Sequence, residues 1–244
     1  MRWKVLRNLV AADGRRVVRD GFLVWMLMVP VAMALALRAL ADPIRGALGE
    51  AGGAERWLGI IETAFFAVVI PLVVGTLLGF MLLDEKDDRT LTAIRVTPVS
   101  LTGYLAWRAV VAWLLSMIMI MLALPIAGLT RIDVVDTIFT AVAGAPLGAA
   151  FGLVLAAGAA NKVQGFAVVK LALVVLLLPC MGLITDGFWA WATVWLPSWW
   201  PVMANRQADD GRPIWGYVAG SYVVNIVLGV AAVRHLSARG RWSR

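Results

Sequence analysis

The stretch WLGIIETAFFAVVIPLVVGTLLGFMLL, Trp57–Leu83, followed at once by DEKDDR, Asp84–Arg89, decides the fold. Its 27 residues carry one ionisable side chain, Glu62, and the charges then arrive together. About 20 apolar residues in a helix cover the ~30 Å hydrocarbon layer of a bilayer. A helix of soluble protein keeps a polar face, and this one has none to offer. Five further blocks of the same kind follow from the apolar runs and their charged borders: Phe22–Leu40, Tyr104–Leu129, Val134–Ala160, Phe166–Ile184 and Ile214–Val233. The composition agrees, with 61% hydrophobic and 15% charged residues and a mean hydropathy of +0.85. The expectation is an all-α polytopic membrane protein with six transmembrane helices in one domain, residues 1–244.

Orientation follows from the basic residues. Of the 22 Lys and Arg, sixteen fall on the side that receives the N-terminal segment, the 84–103 loop, the 161–165 loop and the C-terminal tail. The other side holds Arg38, Arg45, Arg56, Arg131, Arg206 and Arg212 among nine acidic residues. The positive-inside rule makes the first side cytoplasmic and puts both termini there. Residues 1–21, with Trp3, Val5, Leu6, Leu9 and Val10 between basic residues, suit an amphipathic helix in the cytoplasmic interface; they are too long and charged for a cleavable signal peptide. The net charge of +7 is explained by lipid headgroups flanking the spans, so no nucleic-acid partner is expected. The lone cysteine, Cys180, permits no intrachain disulfide, and its apolar surroundings make it a small buried hydrophobe.

After the second span, LLDEKDDRTLTAIRVTPVS, Leu82–Ser100, sets a charged cluster before a short amphipathic run of Leu91, Ile94 and Val96, and then Pro98. Its physical content is a short cytoplasmic helix lying along the membrane, with an acidic face of Asp84, Glu85, Asp87 and Asp88 turned to a partner. The segment resembles the ABC-2 type permeases, the membrane subunits of ATP-binding-cassette exporters. Glu85, Lys86, Asp87, Thr90, Leu91, Thr97, Pro98 and Ser100 stand at the places of that family's two motifs, while Arg89 replaces its usual glycine. The resemblance implies that residues 84–101 couple the chain to a cytosolic ATPase through Asp84, Glu85, Lys86, Asp87, Arg89, Thr90, Leu91 and Pro98.

A second likeness lies in GFWAWATVWLPSWWPVMAN, Gly187–Asn205. Leu196, Pro197, Trp200 and Pro201 match the Leu-Pro-x-x-Trp-Pro run of small drug-export permeases of that family, the fluoroquinolone-export type among them. Residues 185–213 are therefore expected as short re-entrant or interfacial extracellular helices. Their residues Trp189, Trp191, Trp195, Trp199 and Trp200 would sit at the membrane surface, as tryptophan belts do. Trp195, Pro197, Trp200 and Pro201 are its candidate functional residues. A haem-handling role is disfavoured, because the one histidine, His235, falls on the opposite side.

Small residues recur at Gly75 and Gly79, at Gly144, Gly148 and Gly152, and at Gly216 and Gly220, a spacing that lets helix backbones approach in lipid. The tandem set is expected to pack helices within one chain. Arg108 and Lys170 lie about a turn from the cytoplasmic side and can snorkel. Arg38 and Glu62, towards the outer ends, can pair or line a vestibule. Glu62 and Asn225 are the candidate pathway residues. With no phosphate-binding Gly-x-x-x-x-Gly-Lys-Ser/Thr loop, no His-Glu-x-x-His and no Gly-x-Ser-x-Gly, the chain is expected to be neither an enzyme nor a metal or cofactor binder.

The function expected from the resemblance is the permease subunit of an ATP-driven exporter of amphipathic, drug-like molecules in the bacterial plasma membrane. Its expected partners are cytosolic ABC ATPase subunits, which bind the ATP and Mg, a second permease chain (identical or paralogous) and the lipid bilayer. Permeases for lipid, peptide or polysaccharide export, and a membrane scaffold without transport, are the alternatives.

Overall fold

The computed structural model describes residues 21–49, 53–88, 90, 94, 100–129, 134–185, 188–209 and 211–239. The expected N-terminal interfacial helix lies outside these residues, as does most of 89–99. Six described helices are long and apolar enough to cross a membrane: α1 (Gly21–Leu48), α2 (Ala54–Asp87), α3 (Leu101–Ala127), α4 (Val134–Gly158), α5 (Lys162–Ile184) and, near the end, α8 (Trp215–Arg239). Between α5 and α8 run two short helices, α6 (Phe188–Ala192) and α7 (Trp199–Asp209). No strand occurs among the described residues, so this is the all-α, multi-pass membrane protein that the apolar blocks predict.

Two helices form the centre. In their most apolar stretches α2 is 89% and α4 72% buried, against 22–28% for α1, α3, α5 and α8. Glycine makes the central pair possible. A Cβ on Gly75 would stand 2.5 Å from the Gly148 carbonyl oxygen, and one on Gly152 would stand 2.7 Å from that of Gly75. No real Cβ tolerates such distances, so the two backbones touch through the glycines, and the Gly144–Gly148–Gly152 ladder packs helices within the chain. α2 also changes register. Pro71 has no N–H for the Ala67 carbonyl, and the turn just before it, Phe65–Val69, is a π-helix whose longer bonds absorb the lost partner.

Several boundaries depart from the hydropathy blocks for local reasons. α1 continues past Leu40, through Pro43, to end at Gly49 (φ +61°). Arg45 holds this polar extension, donating to the Leu129 carbonyl at 2.6 Å, to Glu55 at 2.9 Å and to Asp42 at 3.2 Å. Ser100 caps α3 by accepting from the Gly103 N–H at 3.2 Å. Asn161 accepts from the Gln164 N–H at 3.0 Å while Gln164 accepts from the Ala160 N–H at 2.9 Å, so a reciprocal cap starts α5 at Lys162 and not at Phe166.

Part of the tryptophan segment packs against the spans. Trp191 and Trp195 are exposed, but Trp199 is buried and touches Trp191, Trp200 and Tyr217 with ring centroids 5.0–6.2 Å away. The Trp200 ring lies against Gly220 of α8, where no Cβ has room. Trp199 and Trp200 thus pack against protein, and Trp191 and Trp195 are the exposed pair. The α7 residues Val202, Met203, Ala204 and Asn205 are buried against the spans. Pro197 and Pro201 stop the chain forming one continuous helix, which lets α7 fold back onto the spans.

Candidate functional site: a buried ion pair flanking residues 89–99

The charged run after the second apolar block does not leave the membrane domain as a loop. Asp84–Asp87 are the last turn of α2. Successive helical residues point about 100° apart, and the run divides accordingly. Glu85 faces α3 and is 2% exposed. Asp84 reaches Lys162 at 2.8 Å and Lys86 donates to the Ala159 carbonyl at 3.1 Å, both on the α4–α5 turn. Asp87, Asp88 and Thr90 are exposed. The expected acidic face of four is thus reduced to two exposed carboxylates, because Glu85 is consumed by an internal partner and Asp84 by the neighbouring turn. Arg89, Leu91 and Pro98 lie outside the described residues.

That internal partner is Arg108. Its Nη2 donates to Glu85 Oε1, Tyr104 Oη donates to Glu85 Oε2 at 2.9 Å, and Arg108 Nε and Nη2 donate to Tyr104 Oη at 3.0 and 2.8 Å. The guanidinium carbon also lies 5.3 Å from the centroid of the Tyr104 ring. Tyr104 and Arg108 are four residues apart and share one face of α3. The side chains of Arg108 and Glu85 are 5% and 3% exposed, so Arg108 does not snorkel; Lys170 remains exposed. Two charges this deep persist only when paired and hydrogen-bonded. The pair joins α2 and α3 at the very points where the chain leaves for, and returns from, the 89–99 segment. A Tyr and an Arg at i, i+4 in an otherwise uncharged span were the signal for it, since ionisable groups in a span normally face a partner inside the protein.

The other candidates gather at the opposite end. Glu62 is buried at 1% exposed, and Arg38 donates to the Ile126 carbonyl at 3.2 Å. Beside Glu62, Thr63 accepts from Asn205 Nδ2 at 2.7 Å while Asn205 Oδ1 accepts from Thr140 Oγ1 at 2.5 Å, a neutral bridge that ties α7 to both central helices. Ser198 donates to the Leu176 carbonyl at 2.7 Å, next to the 3₁₀ turn Leu178–Cys180. Asn225 and Pro197, read separately in the sequence, meet here: Asn225 Nδ2 donates to the Ser221 carbonyl at 2.9 Å and reaches that of Pro197 at 3.4 Å. Ser221 in turn donates to the Ala143 carbonyl at 2.7 Å. Pro201 is buried, and Trp195 is exposed at 87%.

Comparison with known proteins agrees with this architecture. The model of the family described as "Fluoroquinolones export permease protein Rv2686c-like" matches residues 13–233. Two similar proteins are the fluoroquinolones export permease proteins Rv2686c and MT2760 of Mycobacterium tuberculosis, strains ATCC 25618 / H37Rv and CDC 1551 / Oshkosh. Each is 29% identical over 231 residues, covering 93% of this chain and 92% of the relative. The match runs through the spans, the 84–101 segment and the tryptophan helices alike, and it supports the resemblance seen in their motifs: the chain belongs to the Rv2686c-like fluoroquinolones export permease family.

Proposed function

We propose that this chain is the permease subunit of an ATP-driven exporter that moves drug-like amphipathic molecules, fluoroquinolones among them, outward across the bacterial plasma membrane. The substrate class comes from the names of the relatives. The energy comes from separate cytosolic ATPase subunits, which carry the nucleotide and Mg. Both termini and residues 84–103 lie in the cytoplasm, on the side favoured by the basic residues. A second permease chain completes the pathway by covering part of the apolar surface that α1 and α5 expose.

The observation that carries the mechanism is the Glu85–Arg108–Tyr104 cluster. A motor pushing on residues 89–99 acts on two helix ends at once. Were those ends independent, the push would be lost in moving one past the other. Joined by a buried ion pair they move as one body, and α2 carries the displacement into the glycine contact with α4. Asp87 and Asp88 offer exposed negative charge for the ATPase surface, and Glu85 acts as a positioning residue behind it.

The test is co-expression with an ATPase subunit encoded beside it, followed by co-purification and reconstitution. We expect a stable complex whose ATPase rate rises with a fluoroquinolone. An ATPase complex that responds to a lipid, a peptide or a polysaccharide, and to no drug, would replace the substrate class. A chain that recruits no ATPase would be a scaffold.

A further inference from the structure

A groove of about 690 Å³ runs between α3 and α8 with α4 as its floor. That is the size of a drug-binding pocket. It runs from Thr102 and Arg234, at the end of the bundle where the basic residues gather, to mid-span. There Trp113 Nε1 donates to Tyr222 Oη at 3.2 Å. Its walls are mostly alanine, valine, leucine and isoleucine side chains with Pro146 and Gly229, and beyond the Trp113–Tyr222 pair the polar residues among them are Thr102, Asn225 and Arg234. At the basic end stands Arg234, exposed and without an ion pair or hydrogen bond among the described residues. Near mid-span stands Asn225, 2% exposed. Its Nδ2 is engaged by Ser221 and Pro197, whereas its Oδ1 has no hydrogen-bond partner.

A buried acceptor without a donor is costly, and native proteins leave few of them. Pro197 lines a second, smaller cavity between α4, α5 and α8, which Asn225 also touches. Asn225 lines both cavities, and with Nδ2 held on the Pro197 side the buried Oδ1 is its free acceptor. A hydrocarbon chain entering from the bilayer would fill the apolar walls and give Oδ1 nothing. Water would satisfy it and leave those walls wet. The complement is a molecule that does three things: it answers Arg234 with negative charge, covers the alanines and valines with an apolar body, and offers Oδ1 an N–H or O–H. Nine helical steps separate the two, on the order of 13 Å along α8. That is within the length of one small molecule once the reach of arginine is subtracted.

We propose that this groove seats an amphipathic organic acid whose carboxylate meets Arg234 and whose remote N–H or O–H is accepted by Asn225 Oδ1. This rests on the drug-exporter reading and names the seat for it: the substrate enters from the basic end, acid trailing, with its donor end at mid-span. Gly229, between the two polar residues, leaves the middle of the groove clear.

The test uses the purified full-length chain in phosphatidylcholine nanodiscs. Norfloxacin, which has a carboxylate at one end of a flat ring system and a secondary amine at the other, serves as a fluorescent probe. We expect Asn225→Leu and Arg234→Gln each to weaken its binding about tenfold. We expect Arg234→Gln to have no effect on binding of the decarboxylated analogue. Gly229→Leu should block the groove without touching either polar group, and it covers the case in which Asn225→Leu fails to fold. Unchanged norfloxacin binding in Gly229→Leu and Arg234→Gln overturns the seat, and if the same variants still show drug-stimulated ATPase activity in complex, the exporter reading survives it. Competition by phosphatidylglycerol, with dependence on Arg234 and none on Asn225, also overturns it in favour of a lipid site. A wild-type chain that neither binds norfloxacin nor responds to it removes seat and drug reading together.

Discussion

Helix α2 carries a buried polar cluster near each end, and the two are built on opposite principles. At residue 85 the cluster is ionic: a carboxylate, a guanidinium and a phenol, all inside the protein. At residue 63 the bridge is neutral, two threonine hydroxyls joined by one asparagine amide, and it sits beside the buried carboxylate of Glu62. The difference matters because of what each group does when its partner leaves. A stranded charge has no local remedy. A stranded threonine turns back to a carbonyl of its own helix at small cost. The Glu85–Arg108 junction is thus held in one arrangement, while the Thr63–Asn205–Thr140 bridge can be released and remade. That asymmetry fits the proposed drive from one end and opening at the other.

The contrast is broken most severely at Glu85. Glu85→Ala takes the carboxylate away from the buried Arg108 guanidinium, and we expect a loss of about 3–5 kcal/mol, read as a fall in the thermal midpoint of the detergent-purified chain. Replacing both partners by leucine removes the stranded charge, and such replacements are often neutral, so Glu85→Leu/Arg108→Leu should recover most of the stability. Transport separates the two roles of the pair. If it couples the 89–99 segment to α2, the double variant is stable and still exports poorly. A double variant that exports normally reduces the pair to packing.

The neutral cluster should give less. Asn205→Leu removes two hydrogen bonds and frees Thr63 and Thr140, and because both can rebond within their helices we expect about 1–2 kcal/mol. The same melting experiment checks it. A loss as large as that at Glu85 would mean that the two ends are equally rigid and the asymmetry is only chemical.

The six spans were legible because lipid imposes a length, and Trp57–Leu83 or Val134–Ala160 can satisfy it only as spans. Their ends were less so. Hydropathy stops α1 at Leu40, where the charges begin, whereas Arg45 finds three acceptors and keeps the chain helical to Leu48. The π turn at Phe65–Val69 hides in a run where every residue is apolar in any register. The site was half legible. The motif drew attention to Glu85, but one sequence cannot show which way a helical carboxylate points, and a cluster of acids resembles a solvated face until one of them meets its arginine. The depth of Arg108 in its block suits snorkelling as well as pairing, and Tyr104 four residues before it carries the signal for pairing. Asn205 does not stand out because it closes a stretch in which tryptophan and proline dominate.

The mildest test lies beside the most severe one. Asp84 is the neighbour of Glu85 in sequence and also has a cation, Lys162, at 2.8 Å, so by count of ion pairs the two residues look alike. Exposure separates them: the side chains of Asp84 and Lys162 are 20% and 36% exposed, against 3% and 5% for Glu85 and Arg108. Water and salt reach the first pair and screen it, and exposed pairs contribute roughly 0–1 kcal/mol. Asp84→Asn should therefore shift the thermal midpoint little. What shift there is should shrink as ionic strength rises, since the Debye length falls from ~10 Å at 0.1 M to ~3 Å at 1 M. Glu85→Ala should keep its full effect across that range. A salt-insensitive loss of several kcal/mol at Asp84 would show that the α4–α5 turn belongs to the same rigid unit as the Glu85 cluster, and that three spans, not two, answer to a push on residues 89–99.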